Sequence, residues 1–212
     1  QSGRCGKADR NNEKLDKKVA DNFIKNINSI VKKYAKYNIP VILATPISNV
    51  IDMPPFRGED DENLREKIVE YNGALIDNDI EKIKRIQNEI NTDEKLKKNS
   101  NISYLSSIYN FNNSNDKNKA FEFFLDAKDK DNIPFRAKEI LNKSMIEFYN
   151  LYKEDFKNLK FINLFDSIKK DYGVDYFSNK LFCDHLHFNI AGNVIISYYM
   201  VIEIMKLYNL DI

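Results

Sequence analysis

The sequence predicts an α/β layer sandwich with parallel strands. Two short apolar runs have the character of strands: VILATP at 41–46 is continuous and ends in proline, and KFINLF at 160–165 alternates and is rich in β-favouring residues. Helical spacing of apolar residues precedes and follows both runs. Short apolar strands that are flanked by helices are typical of a parallel sheet that is covered on both faces.

The helices follow from apolar residues that recur at helical spacing. The first begins at Leu15 and continues to Tyr34, and Asn38 and Pro40 follow its end. Residues 47–60 are predicted to be a loop, and several short helices are predicted over 61–128, most clearly where isoleucines repeat between Ile80 and Ile90. Further helices are predicted over 136–152 and from Ile190 onward.

The order of these elements suggests one α/β domain with an insertion. Residues 1–14 are polar and are predicted to be a leader. Residues 15–60 and 131–212 are predicted to form the α/β domain, and 61–130 a helical, repeat-like insertion. Two strands are marginal as an independent sheet, so further strands are expected in misread segments or in a part of the protein that this chain lacks.

The composition excludes some classes of function. Lysine and arginine total 33 and aspartate and glutamate total 32, so the chain has no dominant basic charge and we expect no nucleic-acid partner. Cys5 and Cys183 do not constitute a disulfide framework. No apolar run reaches the ~18 residues that a membrane span requires. These features leave the compartment open.

Both histidines lie in LFCDHLHFNIAGN, at 181–193, which leads into the last helix. Asp184 precedes His187 by three residues, so its carboxylate can bind one ring nitrogen and leave the other free to accept a proton. A metal site would use Asp184, His185 and His187, but this is a partial ligand set for zinc. A polar loop that caps the helix is the third interpretation, and the residues alone leave all three open.

Three stretches together resemble the SGNH, or GDSL-like, hydrolase family. DHLHFNIAGNVI (184–195) resembles the family's last conserved block, in which Asp-x-x-His supplies two members of a Ser-His-Asp triad. IPVILATPISNVIDMPPF (39–56) and AFEFFLDAKDKDNIPFRAKEILN (120–142) resemble a subgroup that carries tetratricopeptide-like helices. The resemblance covers roughly residues 15–205, in order.

The resemblance implies both a fold and a reaction. The implied fold is the carboxyl-terminal portion of a flavodoxin-like three-layer α/β/α sandwich of SGNH type. The implied reaction is ester hydrolysis or acyl transfer by a serine mechanism, with His187 as general base and then acid and Asp184 as its orienting carboxylate. The expected substrate is a small-molecule, glycan or lipid ester, and no cofactor or metal is expected.

This sequence also departs from the family's pattern. It contains no Gly-Asp-Ser motif, and RNNEK at 10–14 only weakly resembles the Asn-bearing block that supplies an oxyanion donor. The resemblance therefore implies that the nucleophile, the oxyanion donors and the first three of five strands lie upstream, and that the chain alone is inactive. A non-catalytic helical module that binds a protein partner, and a metal-binding protein, remain as alternatives.

Three further residues are candidates for substrate binding. Asn49 follows the first strand and would either hydrogen-bond a substrate at the rim of the crevice or make a turn. Arg136 would either bind an anionic group of the substrate or hold the active-site loop. His185 is the third candidate, because it lies between Asp184 and His187.

Overall fold

Two four-residue strands pair in parallel in the computed structural model, which describes residues 13–58 and 62–210. In chain order the elements are α1 (Glu13–Ala35), β1 (Val41–Ala44), α2 (Glu62–Ile76), α3 (Ile80–Thr92), α4 (Glu94–Lys98), α5 (Ser100–Asn113), α6 (Lys117–Asp129), α7 (Glu139–Tyr152), β2 (Leu159–Ile162), α8 (Leu164–Asp171) and α9 (Ile190–Leu207). A 3₁₀ turn at Val174–Tyr176 lies between α8 and α9.

The two strands are in register from Val41 opposite Leu159 to Ala44 opposite Ile162. Successive side chains on a strand point to opposite faces, and the packing follows this alternation. Val41, Leu43, Leu159 and Phe161 pack with Ile27 and Val31 of α1 and with Met145 and Phe148 of α7. Ile42, Ala44 and Ile162 face the other core cluster, which includes residues of α6, α8 and α9.

The predicted flavodoxin-like three-layer α/β/α sandwich is wrong for this structure. The structure is 65% helical, and its described residues contain only two short strands. The reason is that much of the apolar surface of α2–α6 is buried between helices, around residues such as Tyr71, Ile83 and Leu105, and not against strands. Two strands are also marginal as an independent sheet.

Helices α2–α6 fill the connection between β1 and α7, and the sequence encodes where several of them begin. Asp79, Asp93, Asn99 and Asp116 are N-cap residues whose side chains accept hydrogen bonds from backbone N–H groups of the following turn. The five helices have 15, 13, 5, 14 and 13 residues. They do not repeat as the ~34-residue helix pairs of a tetratricopeptide array, so the structure does not support that part of the prediction.

The predicted domain boundaries stay predictions. The leader falls almost wholly on residues 1–12, which lie outside the described residues, and Glu13 already belongs to α1. The range predicted as an insertion, 61–130, corresponds to α2–α6.

Helix α9 qualifies the expectation that the chain has no membrane span. By length and composition alone, Ile190–Leu207 could cross a membrane: it has 18 residues, a mean hydropathy of 1.4 and only 6% of its residues buried. A single helix of this kind is weak evidence for a span. One side of α9 packs on the core through Ile195, Ile196, Tyr199 and Met200.

Helices α1 and α7 run antiparallel to the strands that follow them. Each is joined to its strand by a short connection, residues 36–40 for α1 and residues 153–158 for α7. Accordingly, Arg136, three residues before α7, donates to the carbonyl of Asn49, five residues after β1, and Lys138 pairs with Asp16 of α1. The amino-terminal ends of α1 and α7 therefore lie toward the end of the sheet where β1 and β2 finish, which is called the carboxyl edge below.

Candidate active site

Asp184 and His187 form a hydrogen-bonded pair in the loop that precedes α9. Oδ2 of Asp184 lies 2.7 Å from Nδ1 of His187. Its other oxygen, Oδ1, accepts hydrogen bonds from the backbone N–H groups of Leu186 and His187, each at 2.8 Å. One carboxylate therefore sets both the backbone turn and the orientation of the imidazole ring.

The ends of this loop are fastened to each other. The N–H of Cys183 donates to the carbonyl of His187 at 2.9 Å, and Phe182 and Phe188 form an antiparallel bridge. Asn189 caps α9 by accepting from the N–H of Gly192 at 2.9 Å. A Cβ at position 192 would lie 2.1 Å from the carbonyl oxygen of Leu181, so only glycine allows this close approach.

The surroundings of Asp184 favour its ionised form. Hydrogen bonds from the backbone N–H groups of His187 and Leu186, and then from the His187 side chain, lower the pKa of the Asp184 carboxyl far below its ordinary value. Asp184 is therefore held as a carboxylate beside the imidazole.

The His187 ring is open to solvent on the side away from Asp184. The side chain of His187 is 75% exposed and that of Asp184 is 47% exposed. Among the described residues no side chain is hydrogen-bonded to Nε2 of His187, the nitrogen opposite Asp184. The ring is therefore held at one nitrogen and accessible at the other, as a general base must be.

The ring of His185 points into an aromatic cluster. It stacks on Phe56 with ring centroids 4.3 Å apart, and the edge of Phe135 meets it at 6.3 Å. Phe56 and Phe135 also contact each other, at 5.4 Å. We refer to Phe56, Phe135 and His185 as the aromatic cluster. Sequence reasoning did not single out either phenylalanine, although each directly follows a proline, Pro55 or Pro134.

Asn49 is buried beneath the loop of His185. Its backbone N–H donates to the carbonyl of His185 at 3.0 Å. Its side chain accepts from the N–H of Asp52 at 3.1 Å and donates to Oδ1 of Asn179 at 2.8 Å. With an exposed fraction of 0%, Asn49 joins two loops in this structure, and its predicted contact with substrate stays a prediction.

Arg136 is also buried, and it holds the loop that follows β1. One of its terminal nitrogens donates to the carbonyls of Asn49 at 2.9 Å and Met53 at 2.8 Å. Its Nε and other terminal nitrogen have no hydrogen-bond partner among the described residues. Burial lowers the pKa of the Arg136 guanidinium, while Asp131, 3.9 Å away, opposes this effect. This geometry supports the loop-holding interpretation of Arg136.

Asp131 and Tyr104 complete this arrangement, and sequence reasoning did not single out either of them. Asp131 accepts hydrogen bonds from the backbone N–H groups of Phe56, Arg57 and Ile133. The hydroxyl of Tyr104 donates to the carbonyl of Ile51 at 2.7 Å, and burial raises the pKa of Tyr104 to about 12. Residues from α5 and the loop before α7 thus fix the loop that carries Asn49 and Phe56.

The three residues of the alternative metal site, Asp184, His185 and His187, are not grouped as metal ligands in the described structure. In the described parts of the chain, no group of three or more histidine, cysteine, aspartate or glutamate side chains is arranged to hold a metal ion. The ring of His185 lies in the aromatic cluster and not beside the Asp184–His187 pair. The expectation that the protein binds no transition metal stays a prediction.

Comparison with known proteins identifies one family. The family model described as GDSL-like Lipase/Acylhydrolase matches residues 5–200. This range includes the Asp184–His187 pair, the aromatic cluster, Asn49 and Arg136. No curated protein and no solved structure matches the chain.

Proposed function

Because the chain belongs to the GDSL-like lipase/acylhydrolase family, we propose that Asp184 and His187 are the acid–base part of a serine-dependent site for ester hydrolysis or acyl transfer. The observation that carries the proposal is the 2.7 Å contact between Oδ2 of Asp184 and Nδ1 of His187, with Nε2 left accessible. The subgroup with tetratricopeptide-like helices forms no part of the proposal.

The proposed reaction has two proton transfers at Nε2 of His187. In the first, Nε2 takes the proton of the serine hydroxyl while the serine oxygen bonds to the acyl carbon of the ester. The imidazolium then gives this proton to the departing alkoxide as the ester C–O bond breaks. Water, or an acceptor alcohol in acyl transfer, repeats the sequence on the acyl-serine. Asp184 stabilises the imidazolium and remains ionised throughout.

The proposal assigns the base and its orienting carboxylate to this chain, and leaves the serine unassigned. The sequence has no Gly-Asp-Ser motif, and no hydroxyl is hydrogen-bonded to His187 in the described structure. We propose that a Gly-Asp-Ser segment outside these 212 residues supplies the nucleophile. A histidine–aspartate pair without its serine can at best activate water, and removing a nucleophile costs on the order of 10⁶ in rate in a well-studied serine protease.

Asn49, Arg136 and His185 are proposed to act around this pair. Arg136 holds the carbonyls of Asn49 and Met53, and Asn49 in turn holds the backbone of His185. This chain of hydrogen bonds supports a positioning role for Arg136 and Asn49. His185 and its aromatic neighbours, which are partly exposed, are better placed to contact the apolar part of a substrate.

The test is hydrolysis of p-nitrophenyl acetate by this chain and by a version that is extended upstream through a Gly-Asp-Ser segment. The extended protein is expected to turn over ester and to lose activity by a factor of ~10⁴ or more with His187→Ala. Ile190→Ala, a control at an exposed position close to His187, should leave the activity unchanged.

Two results would count against the proposal. One is turnover by the shorter chain that survives His187→Ala, because the site would then lie elsewhere. The other is an extended protein that folds and contains Gly-Asp-Ser but hydrolyses no ester.

A further inference from the structure

A cavity of about 490 Å³ lies between the beginning of α1 and the segment that leads into α7. We call it the α1–α7 groove. Its apolar lining consists of Leu15, Val19, Pro134, Phe135, Ile140 and Leu141. This volume falls within the ~300–1,000 Å³ typical of small-molecule sites. A second cavity, of about 280 Å³, lies between α5 and α6 and is lined by other residues, such as Asn110 and Phe123.

The groove lies toward the carboxyl edge of the sheet. Its lining comes from the beginning of α1, from residues 134–138 and from the first turn of α7, and both helices begin toward that edge. Lys138 of the groove pairs with Asp16 of α1 at 2.8 Å, which fixes the two sides of the groove to each other. In α/β structures, ligands bind in the crevice outside the carboxyl ends of parallel strands.

Phe135 connects the groove to the loop at 182–188, which contains His185 and His187 and is called the histidine loop below. It lines the groove and also contacts the rings of Phe56 and His185. Phe56 and Phe135 are about half exposed. An apolar surface therefore runs from the residue next to Asp184, across the aromatic cluster, and into the groove. His187 itself is not part of the groove lining, so a ligand in the groove leaves the imidazole free.

The charged side chains that line the groove are paired or largely buried. The charge of Lys138 is matched by Asp16. Arg136 also lines the groove, but its guanidinium is buried, and the two nitrogens that lack a hydrogen-bond partner in the described structure are closed to solvent. Its nearest carboxylate, Asp131, lies 3.9 Å away and is already bound by three backbone N–H groups. The groove is therefore mainly apolar where a ligand could contact it.

We propose that the α1–α7 groove is the binding site for the linear acyl chain of the ester, and that the aromatic cluster carries this chain from the histidine loop to the groove. The inference rests on the proposed function. The twelve residues before α1, QSGRCGKADRNN, have no large apolar side chain that would suit such a groove. A medium-length alkyl chain matches its walls and its size.

The test is calorimetric titration of this 212-residue chain with hexanoate, octanoate and decanoate below their micelle concentrations. Affinity should rise about fourfold for each added methylene group. Affinity that is independent of chain length would overturn the proposal.

A matched pair of variants locates the binding. Val19→Asp puts a charge into the groove at a half-exposed position, so octanoate binding should weaken about tenfold or more while the protein still folds. Val69→Asp makes the same change on the exposed surface of α2 and should leave binding unaltered. Equal effects of the two variants would contradict the groove assignment.

Different experimental results would contradict the proposed function and the assignment of the groove. Octanoate binding requires neither the serine nor His187, so His187→Ala should bind octanoate as the wild type does. If octanoate binds but the Gly-Asp-Ser-containing protein hydrolyses no ester, the proposed function fails and the groove stands. If ester is hydrolysed but octanoate does not bind, the groove assignment alone fails.

Discussion

The carboxylate of Asp184 contacts His187 at two places: Oδ1 accepts from the backbone N–H, and Oδ2 lies 2.7 Å from Nδ1 of the ring. The same Oδ1 also accepts from the N–H of Leu186. The backbone of the loop therefore fixes the carboxylate, and the carboxylate fixes the ring. This order of dependence determines how each member of the pair should respond to substitution and to pH.

The pKa of Asp184 should stay low even when the imidazole is removed. Its largest causes are the backbone N–H groups of His187 and Leu186, so His187→Ala should leave the carboxyl ionised well below its ordinary pKa of ~3.9. Because the folded-state pKa is depressed, Asp184 stabilises the fold above the unfolded pKa, and this contribution disappears as the pH falls through the folded value. Carboxyl ¹³C shifts measured against pH test this, and titration near 4 in the variant would contradict it.

Removing Arg136 should destabilise the protein strongly. Arg136→Met leaves the buried carbonyls of Asn49 and Met53 without their donor and Asp131 without its nearby cation, at a cost of about 2–4 kcal/mol. Arg85→Met is the control: Arg85 is 60% exposed and pairs with Glu70 on the surface, where the cost should be below ~1 kcal/mol. Urea unfolding measures both, and equal losses would show that Arg136 does not hold the loop.

Replacing Gly192 or Gly73 by alanine should change the stability of the protein in opposite directions. At Gly192 a Cβ would lie 2.1 Å from a backbone carbonyl oxygen, so Gly192→Ala must move the loop or the start of α9 and should cost more than ~1 kcal/mol. At Gly73, inside α2, a Cβ would meet nothing within 4 Å, so Gly73→Ala should stabilise by about 0.5–1 kcal/mol. Thermal unfolding distinguishes them, and a neutral Gly192→Ala would contradict the close approach.

Protein purified without a histidine tag should contain no stoichiometric transition metal. Asp184, His185 and His187 give at most a partial ligand set, and the ring of His185 stacks on Phe56. Elemental analysis is the measurement. Stoichiometric zinc that is lost when both histidines are replaced by alanine would favour the metal interpretation over the hydrolase one.

Local periodicity predicted many of the elements but not their assembly. The isoleucines from Ile80 to Ile90 indicated α3, and the apolar run at 41–46 contains β1. The run at 160–165 only overlaps β2, because β2 begins at Leu159 and residues 164–165 already belong to α8. The five-residue helix α4 was missed because it is shorter than two helical turns. The three-layer sandwich was wrong because periodicity shows which face of a helix is buried but not whether a strand or another helix covers it.

Local sequence patterns likewise predicted only part of the candidate site. Asp184 and His187 are three residues apart, so their contact could be expected from the sequence. The hydrogen bond from Arg136 to Asn49 spans 87 residues, and the stacking of Phe56 on His185 joins loops that are even further apart in the sequence. Contacts of this kind depend on tertiary packing, and no local pattern encodes them.

The tautomer of His187 tests the central claim, that Asp184 prepares this ring as a base, most directly. The chain has only two histidines, so long-range ¹H–¹⁵N NMR can assign both rings at a pH where they are neutral. The account predicts a proton on Nδ1 of His187 and a bare Nε2. In Asp184→Asn the amide oxygen keeps the backbone hydrogen bonds and the NH₂ group faces Nδ1, so the proton should move to Nε2. A wild-type ring that already carries its proton on Nε2, or a tautomer that is unchanged in Asp184→Asn, would contradict the account.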